Sequence, residues 1–228
     1  MPPTSDPAAH PARSALVAGA TGLVGREILQ GLLADRGVLA VHVLARRPLG
    51  FEHPKLVAHA VNFAQLPPLP AVDEVYLALG TTIKTAGSQA AFRAVDFDAN
   101  LAVARTARAA GARRLGLVSA MGADSRSSIF YNRVKGELEQ ALEGLGFEGL
   151  VIARPSLLAG DRAALGQPVR GGEKWGLALS RWLRPVIPAN LRPILARDVA
   201  QALLRAVPTA RGLQVLPSGR MQAMAART

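Results

Sequence analysis

The sequence predicts an α/β fold, a doubly wound parallel sheet with helices on both faces, and three observations predict it. Short apolar runs alternate with amphipathic stretches from Ala15 onward, and a glycine-rich turn follows the first run. Several runs, Val75–Leu79 and Leu115–Val118 among them, are continuous, as in strands buried on both faces. The expected strands are Ala15–Ala18, Val38–Ala45, Lys55–Val61, Glu74–Leu79, Arg114–Ser119, Gly149–Ala153 and Gly212–Leu216. Apolar residues at helical spacing place helices over Leu23–Asp35, Gln89–Ala110, Tyr131–Gly144, Lys174–Leu183 and Asp198–Ala206. Gly111 is the stop of the second helix, and Asp198 is expected to cap the last.

With 228 residues, 50% of them hydrophobic, the chain is sized for one domain. That domain is expected over residues 14–228, after a loose tail at 1–13 carrying Pro2, Pro3, Pro7 and Pro11. Glycines and prolines break the alternation from Gly160 to Pro193, so an irregular cap is expected at about residues 160–195. Within it Trp175, Leu179 and Trp182 fit one apolar helix stripe with Arg181 and Arg184 around it; a lid or a docking face is the other reading.

The formal charge is +11, yet only four of the 27 basic residues are lysines and no run of five or six like charges occurs. Scattered arginines of this kind fit coding bias as well as function, so no nucleic-acid partner is expected. Without cysteine there is no disulfide or thiolate chemistry, and the four histidines lack ligand spacing, so no metal is expected. No apolar stretch is long enough for a membrane span and no secretory signal is legible, which makes a cytosolic location and no membrane partner the expectation. A monomer or homodimer acting on a small molecule fits this profile.

After the first strand comes Gly19-Ala20-Thr21-Gly22-Leu23-Val24-Gly25. In the dinucleotide fingerprint the glycines permit a tight turn, a close backbone approach to the pyrophosphate and close helix-on-strand packing. The helix that opens at Leu23 presents unpaired N–H groups to the diphosphate. An acidic residue about 20 positions on would bind a ribose 2′-hydroxyl, but Arg46 and Arg47 stand there instead. Guanidinium groups suit a 2′-phosphate, which predicts NADP(H) in preference to NAD(H) on a Rossmann-like fold; a solvated loop pair is the other reading.

Ser119 ends an apparent buried strand, and Tyr131 and Lys135 lie four residues apart on one face of the next helix. A free phenol ionises near ~10, and a neighbouring ammonium favours the phenolate, so this pair suits proton transfer. Ser119 is expected to hold the substrate oxygen, Tyr131 to move its proton, and Lys135 to tune Tyr131 and bind the nicotinamide ribose.

Together GATGLVG, LARRP, LGTT, the Asp96-containing helix, LVSAMGAD, YNRVKGELE and ARPSLLAGDR resemble the atypical short-chain dehydrogenase/reductases related to the Tat-interacting protein, over roughly Ala15–Ala206. That resemblance implies a Rossmann fold, NADP(H) binding and a Ser119/Tyr131/Lys135 triad. It also implies that Asn62 and Phe63 flank the adenine, that Leu79, Gly80 and Thr81 border the ribose and diphosphate, and that Pro155, Ser156, Leu157 and Leu158 border the nicotinamide. Relatives more often carry an acid at Asn62, and only Asn100 offers itself as a fourth catalytic residue. The implied activity is hydride transfer between NADP(H) and a small carbonyl or alcohol. An NADP(H)-sensing adaptor without turnover is the alternative.

Overall fold

The structure, a computed structural model, describes residues 12–159 and 188–226. Trp175, Trp182, Arg181, Arg184 and the expected helix Lys174–Leu183 lie outside the described residues, as does most of the expected tail and cap.

Seven parallel strands form one sheet in the order β3-β2-β1-β4-β5-β6-β9. They are β1 (Arg13–Ala18), β2 (Val38–Ala45), β3 (Leu56–Ala60), β4 (Glu74–Leu77), β5 (Arg114–Val118), β6 (Gly149–Arg154) and β9 (Gly212–Pro217). All seven expected strands form. The reason is burial: β4 is buried at every position, and residues 15–18 of β1 carry side chains into both helical layers. β1 begins at Arg13, inside the expected tail, because its guanidinium is buried against Asp35 at 2.6 Å and Glu74 at 2.9 Å. A short parallel pair, β7 (Leu158–Ala159) with β8 (Ile194–Leu195), stands beside the sheet.

Helices α1 (Leu23–Ala34) and α6 (Ala196–Ala206) pack on one face, with Ile28, Leu29, Leu32, Val199 and Leu203 in their core. The other face is covered by α4 (Asn100–Ala109) and α5 (Phe130–Glu143), whose Val103, Ala107, Leu138 and Leu142 meet Leu77, Leu115 and Leu117. A C-terminal helix α7 (Ser218–Ala225) follows β9. Asp198 does not cap α6: the helix starts two residues earlier, at Ala196, and Asp198 faces Arg197 at 3.5 Å.

The expected continuous helix over Gln89–Ala110 is corrected. After α2 (Ile83–Ala86) the chain runs through α3 (Gln89–Arg93), a π turn over Ala94–Ala99 and then α4. The extra residue per turn is stabilised from within. The buried Asn100 Nδ2 sits 3.2 Å from the Val95 and Asp96 carbonyls and 3.3 Å from that of Leu79. π turns are rare and concentrate at functional sites.

Candidate active site

The C-terminal ends of the strands form the edge where ligands bind in open α/β sheets. At the end of β1, Gly19 has φ +93, and a Cβ there would lie 2.4 Å from the Ala78 carbonyl carbon. A Cβ on Gly25 would lie 2.0 Å from the Gly19 carbonyl oxygen. Both positions therefore demand glycine, for the left-handed turn and for helix-on-strand contact. Gly22 is the N-cap of α1 and contributes no side-chain cap, and the first turn carries no acid. The N–H groups at Leu23, Val24 and Gly25 are thus left to an anionic ligand, with Thr21 exposed beside them. These residues fit a dinucleotide diphosphate.

The glycine turn is joined to the rest of the site through the segment after β4. Gly19 packs on Ala78 and Leu79, and a Cβ on Gly80 would lie 3.5 Å from Asp96 Oδ1 and 3.9 Å from Lys135 Nζ. Thr81 donates its N–H to Asp96 Oδ2 at 2.8 Å. Lys135 Nζ lies 2.8 Å from Asp96 Oδ1, with side-chain exposures of 5% and 1%, a buried ion pair rather than a well-directed hydrogen bond. The π turn is what aims Asp96 inward.

Tyr131, Lys135 and Glu139 follow one another at four-residue spacing along one stripe of α5. The Tyr131 ring is tilted against the fully buried Phe92, with centroids 5.6 Å apart. Its phenol makes no hydrogen bond among the described residues. Ser119, just past β5, is buried, and its Oγ donates a short hydrogen bond to Glu139. Arg154, at the end of β6, closes on the same carboxylate, with Nε 3.1 and 3.2 Å from the two oxygens and a second, shorter contact through Nη2. That hydrogen bonding raises the Arg154 pKa. α5 comes close to the loop after β5 because Gly136 has no side chain: a Cβ there would lie 2.2 Å from the Ser125 nitrogen. A cleft of about 320 Å³ opens between them, lined by Asp124, Ser125, Glu139, Gln140, Glu143 and Arg154 among others.

The remaining expected residues line the same edge. Arg46 and Arg47 are exposed directly after β2. Asn62 Oδ1 accepts the Ala64 N–H at 3.0 Å in a local turn, and Phe63 packs against the core. Pro155 accepts from the Met121 N–H at 2.8 Å, Leu157 is exposed and its carbonyl accepts from the Ile194 N–H at 3.0 Å, and Leu158 enters β7. Asn100 serves the backbone, its amide donating to the Leu79, Val95 and Asp96 carbonyls. Two buried acids, Asp96 and Glu139, were missed as site residues. The signal for Glu139 was available, since it continues the spacing of Tyr131 and Lys135. Asp96 was not legible, because its inward turn depends on the π geometry.

No protein-family model matches the chain. Among curated relatives, protein FMP52, mitochondrial, of Coccidioides immitis is 38% identical over 162 residues, 64% of this chain and 66% of the relative. The FMP52 protein of Eremothecium gossypii is 38% identical over 65% of this chain and 68% of its own length. That of Candida albicans is 31% identical over 84% and 86%. The expected cytosolic location is overturned here, because these relatives are named as mitochondrial proteins. Among solved structures, MoeE5 in complex with UDP-glucose and NAD superimposes with TM-score 0.67 at 16% identity, covering 94% of this chain and 82% of that one. A short chain dehydrogenase family protein of Francisella tularensis gives 0.62 at 12% identity, covering 92% and 99%. These likenesses show the Rossmann-like fold; the curated sequences carry the FMP52 name and not that of the Tat-interacting protein.

Proposed function

The chain belongs to the FMP52 protein family, and we propose that it is an NADP(H)-dependent oxidoreductase acting on a small carbonyl or alcohol. One observation carries the reading: an unbroken line of contacts runs from the glycine turn at Gly19 and Gly25, through Ala78–Thr81, to the buried Lys135 on the stripe that presents Tyr131. The NAD held by the superimposable MoeE5 supports a nicotinamide dinucleotide. When bound, that group supplies the hydride. Leu23–Gly25 hold the diphosphate, Leu79–Thr81 border the ribose, and Pro155, Leu157 and Leu158 border the nicotinamide. Arg46 and Arg47 would meet a 2′-phosphate at the sheet edge, and among the described residues neither is paired with an acid. Lys135 binds the ribose, Tyr131 exchanges a proton with the substrate oxygen, and Ser119 orients that oxygen. A mitochondrial setting, as in the relatives' names, replaces the cytosolic one.

NADPH oxidation is to be screened against aldehydes, ketones and quinones with the full chain and with Tyr131→Phe. Turnover that Tyr131→Phe abolishes supports the reading; turnover indifferent to it removes Tyr131 as proton donor. Titrations with NADP and NAD, repeated on Arg46→Ala/Arg47→Ala, test the cofactor. Tighter NAD binding, or NADP affinity unchanged in the double variant, overturns the preference. A second reading, an NADP(H) sensor without turnover, draws on the fact that Lys135 and Ser119 are each engaged by a buried carboxylate. It is selected if NADPH binds and the whole panel stays silent.

A further inference from the structure

Ser119 has one hydroxyl proton, and it donates that proton in a hydrogen bond to Glu139. A serine hydroxyl offers one donor and two acceptor lone pairs. Its donor here is spent on a carboxylate that is 5% exposed and is itself clamped by Arg154. An ionised carboxylate accepts only, so the proton cannot turn away without leaving a buried charge with one partner fewer. Lone pairs alone are left for a ligand. A carbonyl oxygen, which also accepts only, finds no donor at Ser119, whereas a hydroxyl does find an acceptor.

From this geometry we infer that Glu139 is a positioning residue that fixes Ser119 as a hydrogen-bond acceptor, so that the site selects alcohols over the matching carbonyl compounds. The inference rests on the proposed reading of this edge as the substrate site. The reversal is built into one substitution. In Glu139→Gln, Arg154 draws the amide oxygen and the amide NH2 faces Ser119 Oγ, which frees the serine proton for the ligand. The carbonyl compound then gains the hydrogen bond and the alcohol loses its advantage.

The test is ligand binding, not turnover. Cyclohexanol and cyclohexanone are titrated by ligand-observed NMR into the NADP-saturated full chain, its Ser119→Ala variant and its Glu139→Gln variant. In the wild type the alcohol binds about tenfold more tightly, the worth of roughly 1.4 kcal/mol from one hydrogen bond gained against one left unmade. Ser119→Ala brings the ratio near one, and Glu139→Gln inverts it, which a merely structural role for Glu139 would not do. Equal binding in the wild type, including none by either probe, or tighter binding of the ketone overturns the inference. If Glu139→Gln fails to fold, a neutron structure of the wild type decides on its own: a deuteron between Ser119 Oγ and Glu139 supports it, and one directed elsewhere overturns it. Failure of the functional reading shows separately, as a silent NADPH panel while the deuteron still lies on the Glu139 side.

Discussion

Removing Asp96 leaves the Lys135 ammonium buried and alone, and the size of that penalty is set by the geometry. The pair is 2.8 Å apart with side-chain exposures of 1% and 5%. At an effective dielectric of about 20, unit charges at that distance attract by about 6 kcal/mol, part of which offsets the desolvation of both groups. Breaking such a pair from one side costs about 3–5 kcal/mol, because the surviving charge stays in the protein. Asp96→Leu also strips the Thr81 N–H of its acceptor, which adds about 1 kcal/mol. For a domain of this size the melting temperature then falls by roughly 8–24 °C. Lys135→Met suffers less, since the abandoned carboxyl can take a proton. The double variant Asp96→Leu/Lys135→Met removes both charges and recovers most of the loss. Urea unfolding of all four proteins gives the coupling energy, expected above about 2 kcal/mol and insensitive to 0.5 M salt. Additivity within about 0.5 kcal/mol, or a coupling that salt erases, would refute the claim that the pair is buried and mutually dependent.

Gly25→Ala is expected to destabilise the fold by about 2 kcal/mol or more and to weaken NADP binding at least tenfold, because its Cβ would meet the Gly19 carbonyl at 2.0 Å; a fluorescence titration and a melt check both. Gly22→Ala, whose Cβ would lie 3.4 Å from the same oxygen, should stay within about 1 kcal/mol of wild type in the same melt. Gly136→Ala would push α5 off the Asp124–Ser125 backbone and should lower the melting temperature by several degrees. The stacked His42 and His59, 3.0 Å apart between ring nitrogens, make a pH-dependent contact on β2 and β3. Burial first, and then the His59 charge, lower the His42 pKa below its ordinary 6.5. Its contribution is therefore fully present above pH 6.5 and is lost as pH falls through the folded value. The melting temperature should drop between pH 7 and pH 5 more steeply in the wild type than in His42→Gln, and parallel curves would exclude the contact as the cause.

The strands were legible because burial on both faces leaves no polar alternation, so Val75–Leu79 and Leu115–Val118 announce themselves as continuous apolar runs. α1 and α5 were legible for the opposite reason, since each carries one apolar face toward the sheet. The π turn was not. Residues Gln89–Ala110 keep a helical period throughout, and what breaks it is not in that period: the pull of Lys135 on Asp96, and the Asn100 amide shared between the Leu79 carbonyl and the turn's own Val95 and Asp96 carbonyls. α7 was missed because Ser218-Gly219-Arg220 gives little helical signal. Ser218 is fixed by the Ser156 N–H, which reaches its Oγ from 62 residues away.

The basic excess that marks the composition does not reach the inner site. Among the described residues, its cations Lys135 and Arg154 are each matched by a carboxylate, Asp96 and Glu139, so these carry balanced pairs. Sequence can show Tyr131 and Lys135 four residues apart, but not that the ammonium already has a partner, which is a consequence of where the crossover from β4 to β5 sets its π turn. The distinction matters for mechanism, because an ammonium committed to Asp96 is a weaker source of positive potential at the phenol than one that is free. Among the described residues no carboxylate pairs with Arg46 or Arg47 at the rim, where the proposed cofactor reading would set a 2′-phosphate. Cofactor affinity should therefore weaken with added salt while the Lys135–Asp96 coupling does not.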